Sequence, residues 1–138
     1  MLRTSLSLAG LLLMALAVSA QPGASRNVPG QAQVSFQFDI REDTAGNPRG
    51  KIMLAIGERK VVILPKATSQ FRTLETSDYK AHDVPAAAIA ACSGWWAGKG
   101  EDLYVLRRKK DLVVMIRYLD EGSARKPAYK RLKIIPMR

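Results

Sequence analysis

Leu103 to Leu119 reads LYVLRRKKDLVVMIRYL, two β-prone apolar runs on either side of a basic tip. β-Branched and aromatic side chains fit a pleated, half-buried surface, so the pair predicts a hairpin. A two-residue or a four-residue turn at Arg108-Lys109-Lys110-Asp111 gives the same register. It sets Leu106 opposite Val113 and Val105 opposite Val114, with Arg108 and Asp111 as a cross-strand ion pair. Because strand side chains alternate, Arg108 and Arg117 then share a face with Tyr104, Leu106, Val113 and Met115.

Working outward, VSFQFDI alternates Val34, Phe36, Phe38 and Ile40 against polar residues, the period of a half-buried strand. REDTAGNPRG supplies turn chemistry through Gly46 and Asn47-Pro48. KIMLAI and KVVIL flank Gly57-Glu58-Arg59 and predict a second hairpin, whose consecutive apolar residues imply strands covered on both faces. SQFRTLE predicts a short strand anchored by Phe71 and Leu74. AYKRLKII predicts a last one, with Leu132 and Ile134 inward and Arg131 and Lys133 outward beside Tyr129.

Between these lies the one segment with helical character. Asp83 suits a cap, Val84 and Pro85 suit a first turn, AAAIAAC is rich in the best helix former, and Gly94 suits the stop. The expected fold is therefore mainly β: a small antiparallel meander, barrel or sandwich-like, of six or seven strands, with one short α-helix at about 84–92.

The first twenty residues place Arg3 before an apolar run from Leu6 to Val18 and end on small residues. This predicts a secretory signal over 1–20, cut after Ala20, since the run is shorter than the ~20 residues of a spanning helix. Residues 21–32, with two Pro and two Gly, predict a flexible leader, and 33–138 a single β-rich domain in the periplasm or outside the cell. With one cysteine, the chain has no internal disulfide to staple it, so stability rests on apolar burial.

The net charge is +10, and it is unevenly spread. From Gln21 to Leu106 ten Lys/Arg face nine Asp/Glu, whereas Arg107 to Arg138 holds eleven against three. Clustered charge makes a local field, which favours anionic partners and disfavours basic ones.

Several candidate sites fail on geometry or spacing. Cys92 and His82, the only Cys and His, would stand about 15 Å apart along the expected helix, too far for a thiolate–base pair. Pro85, Ile89 and Cys92 share a helical stripe, which gives the sulfur a packing role. Gly98-Lys99-Gly100 lacks the glycine spacing and the Ser or Thr of a phosphate loop. His82 with Asp78 and Asp83 is a surface grouping without the ligand spacing of a structural zinc site, and no residue set predicts a metal or cofactor. Adjacent residues of an extended chain point apart, so one of Trp95 and Trp96 is expected in the core and the other at the surface.

What remains is the basic C-terminal third. Arg108, Arg117, Arg131 and Lys133 form a candidate anion site, with Trp95, Trp96 and Tyr129 as aromatic contacts, a combination suited to a charged polymer. The expected role is non-catalytic binding of an anionic envelope or extracellular component. The competing roles are an assembly subunit that offers an edge strand and a small hydrolase, for which no converging carboxylate pair is visible.

Overall fold

The computed structural model describes residues 32–137. The expected signal (1–20) and all but the last residue of the expected leader (21–32) lie outside the described residues. Eight strands follow in order: β1 (Val34–Glu42), β2 (Pro48–Ile56), β3 (Arg59–Ala67), β4 (Gln70–Thr73), β5 (Ala90–Trp96), β6 (Lys99–Arg108), β7 (Asp111–Asp120) and β8 (Lys130–Pro136). They form two antiparallel sheets, β1-β2-β3 and β4-β5-β6-β7-β8, in each of which the spatial order follows the sequence, and the chain passes from one sheet to the other between β3 and β4. The mainly β, sandwich-like meander expected from the sequence is the architecture.

The decisive hairpin folds in the expected register. Leu106 faces Val113, Val105 faces Val114 and Arg108 faces Asp111. Its tip is a two-residue turn in which Lys109 takes a left-handed φ of 51°. The expected Arg108–Asp111 ion pair does not close within 4.0 Å, because the tip side chains are free to stay in water. Leu112, Val114 and Ile116 face the other sheet and are fully buried.

The main core lies between the sheets and takes side chains such as Phe36, Ile52, Leu54, Ile63, Leu103, Val105 and Ile135 from both. A second, smaller cluster sits on the opposite face of the five-stranded sheet. There Leu74, Tyr79, Val84 and Ala88, from the connection between β4 and β5, cover Ala91 and Tyr104. That connection holds two short 3-10 turns, Thr76–Asp78 and Lys80–His82.

The expected helix at 84–92 is not formed: its last three residues open β5, which brings the strands to eight rather than the expected six or seven. Ile89 N–H already bonds the Val105 carbonyl, and Ala90 to Trp96 pair with β6. Asp83, expected as a helix cap, instead ends a 3-10 turn with a φ of 55°, a conformation that Asp tolerates. Helix propensity is a weak prior, and burial on two sides overrides it. Ala90 and Cys92 face the main core while Ala91 lies under the cover, and all three are essentially inaccessible.

The last strand also departs from expectation. Val114 pairs with Lys133 but Met115 with Arg131, so Leu132 is an extra residue, a bulge, on β8. An added residue exchanges the faces beyond it. Leu132 and Ile135 therefore pack on the main core, while Ile134, expected inside, is 43 % exposed. The hairpin expected around Gly57-Glu58-Arg59 is β2–β3, but its turn is only Gly57-Glu58, and Arg59 already pairs with Ile56 as the first residue of β3. However, Val62 and its partner Met53 lie on the face turned away from the main core, so Val62 is exposed rather than covered.

Candidate functional site

The residues singled out in the sequence separate into a buried set and an exposed set. Arg117 belongs to the first. It is only 3 % exposed, under the cover on the outer face of the five-stranded sheet, where β-pairing puts it directly opposite Asp102. Its Nε and NH2 both lie at hydrogen-bond distance from Asp102 Oδ2, at 3.0 and 2.9 Å. Another nitrogen donates to Asp83 Oδ2 at 2.9 Å, and NH2 also donates to the His82 carbonyl at 2.9 Å. Tyr129 lies against the guanidinium at 4.7 Å and donates its hydroxyl to the same carbonyl.

Arg117 is therefore spent on holding Tyr79–Asp83 to the sheet and is not free for an anionic ligand, a correction to its place in the expected site. Burial works against its charge, but the hydrogen bonds to Asp83 and Asp102 outweigh that and raise its pKa. The reverse holds for Asp83, whose carboxyl is pulled below the usual range chiefly by its hydrogen bond from Arg117. Tyr129 is half-buried; its phenol is pushed up by burial and stays a donor. It touches Arg117 and Tyr104, not solvent ligand, and its expected surface-contact role is corrected in the same way.

Ser93, His82 and Asp102 share this cluster but do not make a nucleophile. Ser93 Oγ donates to Asp102 Oδ1 at 2.7 Å, and His82 Nδ1 lies 3.3 Å from the same oxygen. The carboxylate thus stands between the hydroxyl and the imidazole, where a triad requires the imidazole between the other two. Asp78 lies 3.5 Å from Arg72 and accepts the Glu75 amide; that hydrogen bond, then Arg72 and nearby His82, hold its carboxyl below the usual range.

Cys92 is buried as expected, though on a strand rather than a helix. Its side chain faces the main core, on the opposite side of the sheet from His82, so the two cannot pair. Burial pushes its thiol well above the ordinary value, which keeps it protonated and unreactive. A thiol reagent is expected to label native protein only on the timescale of unfolding; rapid complete labelling would contradict the packing.

Trp95 and Trp96 both lie at the surface, 46 % and 37 % exposed, where one had been expected inside. They take opposite faces of β5 just before the turn to β6, beyond the reach of the core. Trp95 sits over Gly100 and borders a cleft of about 320 Å³ with Leu119 and the β7–β8 loop. Trp96 donates Nε1 to Asn47 Oδ1 at 3.1 Å, which fixes its ring beside the β1–β2 loop.

The exposed cations gather elsewhere. Arg108, Lys109 and Lys110 form the hairpin tip, and Lys130, Arg131 and Lys133 stand on β8. All six are exposed, and among the described residues none has a carboxylate within ion-pair distance. β8 is an edge strand running alongside β7 to the tip, where the Met137 amide bonds the Lys110 carbonyl. Arg131 and Lys133 fall on different faces because of the bulge, so the cations wrap the edge rather than line one flat face.

Asp102, Asp83 and His82 were missed as partners of Arg117. A signal was present, since extending the register of Leu106 and Val113 by four residues on each strand puts Asp102 opposite Arg117. Comparison with family models, curated proteins and solved structures found no match to this chain.

Proposed function

We propose that this chain is a non-catalytic binding protein that holds an anionic envelope or extracellular polymer against its basic edge, after export directed by residues 1–20. The observation that carries the reading is the array of Arg108, Lys109, Lys110, Lys130, Arg131 and Lys133, exposed and without carboxylate partners among the described residues. Unpaired cations on adjoining elements gain most from a polyanion, because each contact releases condensed counterions.

Binding to heparin, measured against salt, tests this. A log–log slope of about −3 to −5 is expected for wild type, at roughly 0.7 to 0.9 per contact. The double variant Arg131→Glu/Lys133→Glu is expected to reduce the slope by about 2. Absence of retention at physiological salt, or an unchanged slope in the variant, would contradict it.

An assembly subunit is a second reading, favoured by the open edge of β8 and the 43 % exposure of Ile134 on it. Size-exclusion chromatography separates the two. A stable oligomer that persists in high salt supports assembly, and a monomer supports the polymer binder.

A further inference from the structure

A second cationic surface lies away from the C-terminal edge, in the part of the chain whose charges balance in sequence. Two clefts, of about 210 and 400 Å³, adjoin at Arg49 and Thr68, which line both, and are taken together as one groove. It starts at Trp96 and Lys99, at the turn between β5 and β6, and runs past Arg49 to Lys51 and Lys66 on β2 and β3. Four cations and one carboxylate, Asp39, line it.

Two of the four cations are uncommitted. Arg49 is held by Asp43 at 3.2 Å, and Asp39 stands opposite Lys51 in register. Lys66 and Lys99 are exposed, and among the described residues neither has a carboxylate within ion-pair distance. Asp120 is the register partner of Lys99, but its Oδ1 accepts the Gly122 amide. The folded chain thus gathers lysines from β3 and β6 that the sequence separates by more than thirty residues.

The aromatic part is pre-set. Trp96 is cross-strand neighbour to Lys99, and its Nε1 bond to Asn47 restrains the ring, so less freedom is lost on binding. A flat indole beside an ammonium matches a ring that carries a negative group: the apolar face of a pyranose stacks on the indole while its carboxylate or sulfate meets the lysine.

We propose that this groove is a subsite for an acidic sugar unit, stacked on Trp96 and held by Lys99 and Lys66. The proposal rests on the anionic-polymer reading above for the sign of the ligand's charge, and it narrows the polymer to an acidic polysaccharide. The basic edge then acts along the polymer, and the groove selects the unit.

The test uses the two tryptophans as reporters. In the Trp95→Phe variant tryptophan emission comes from Trp96 alone, and titration with a heparin-derived tetrasaccharide or with a short polyuronate should change it saturably. Response to both indicates recognition of negative charge in general; response to one assigns sulfate or carboxylate. Adding Lys66→Glu/Lys99→Glu should raise the dissociation constant about tenfold or more, equivalent to about 1.4 kcal/mol. Lys60→Glu/Lys80→Glu, an equal charge change outside the groove, should not. Thermal melts confirm that the variants, all at exposed positions, are folded.

If wild type is retained on heparin yet neither oligosaccharide changes Trp96 emission, the groove is not the subsite and the polymer reading stands alone. If oligothymidylate binds the groove as tightly as the sugars do, the acidic-sugar assignment is overturned in favour of nucleic acid. If heparin itself is not retained, both readings fall together.

Discussion

Asp102→Ala is expected to lower the unfolding free energy by about 3–5 kcal/mol, the cost of leaving one member of a buried ion pair behind. Arg117 is 3 % exposed, and Asp102, which holds two of its nitrogens, is fully buried. Without that carboxylate the guanidinium keeps only Asp83 and the His82 carbonyl, while Ser93 and His82 lose their shared acceptor. Urea unfolding measures the effect, and a loss under about 1 kcal/mol would mean that water readily takes the place of Asp102. Asp102→Leu/Arg117→Met, an apolar pair of similar volume, is expected to recover most of the loss, because neither charge is then stranded.

Gly94→Ala is expected to cost about 1–3 kcal/mol through overpacking. Gly94 does not have a left-handed φ among the described residues, so conformational freedom is not what it supplies. A Cβ there would come within 2.5 to 2.7 Å of three ring carbons of Phe71. The ring packs against the glycine and stacks on Phe38, with centroids 5.8 Å apart and planes inclined at 22°. Adding a methyl pushes Phe71 away from both. Phe71→Leu should partly rescue Gly94→Ala, since a narrower side chain can yield; additive losses in the double variant would contradict this account.

These two positions show why some of the protein was legible in the sequence and some was not. The β6–β7 register followed from two apolar runs and a short tip, both local features, and it correctly put Arg117 on a face with Tyr104 and Met115. Whether that face was open depended on Leu74, Tyr79 and Val84, which arrive from a connection with no periodic pattern. The same cover explains β5. Ala90, Ala91 and Cys92 are small because one side meets the main core and the other lies beneath the cover, and that need for small residues looks like a helical composition.

The departures in the candidate site have the same origin. One extra residue in β8 exchanged the faces of Lys133 and Ile134, and nothing in AYKRLKII marks a bulge. Arg131, Lys133 and Arg108 remain exposed, while Arg117 and Tyr129 are taken up by the fold. The groove beside Trp96 was hidden by arithmetic: ten bases against nine acids from Gln21 to Leu106 gives almost no net charge, yet Arg49, Lys51, Lys66 and Lys99 converge in space.

The most direct test of the basic edge as the working surface is amide chemical-shift mapping during titration with a heparin-derived oligosaccharide. The largest changes are expected at Arg108 to Lys110 and Lys130 to Lys133, weakening as salt rises. The amides around buried Asp102 and Arg117 should stay in place. Changes concentrated on the Leu74–Ile89 cover, with the hairpin tip and β8 silent, would contradict the account.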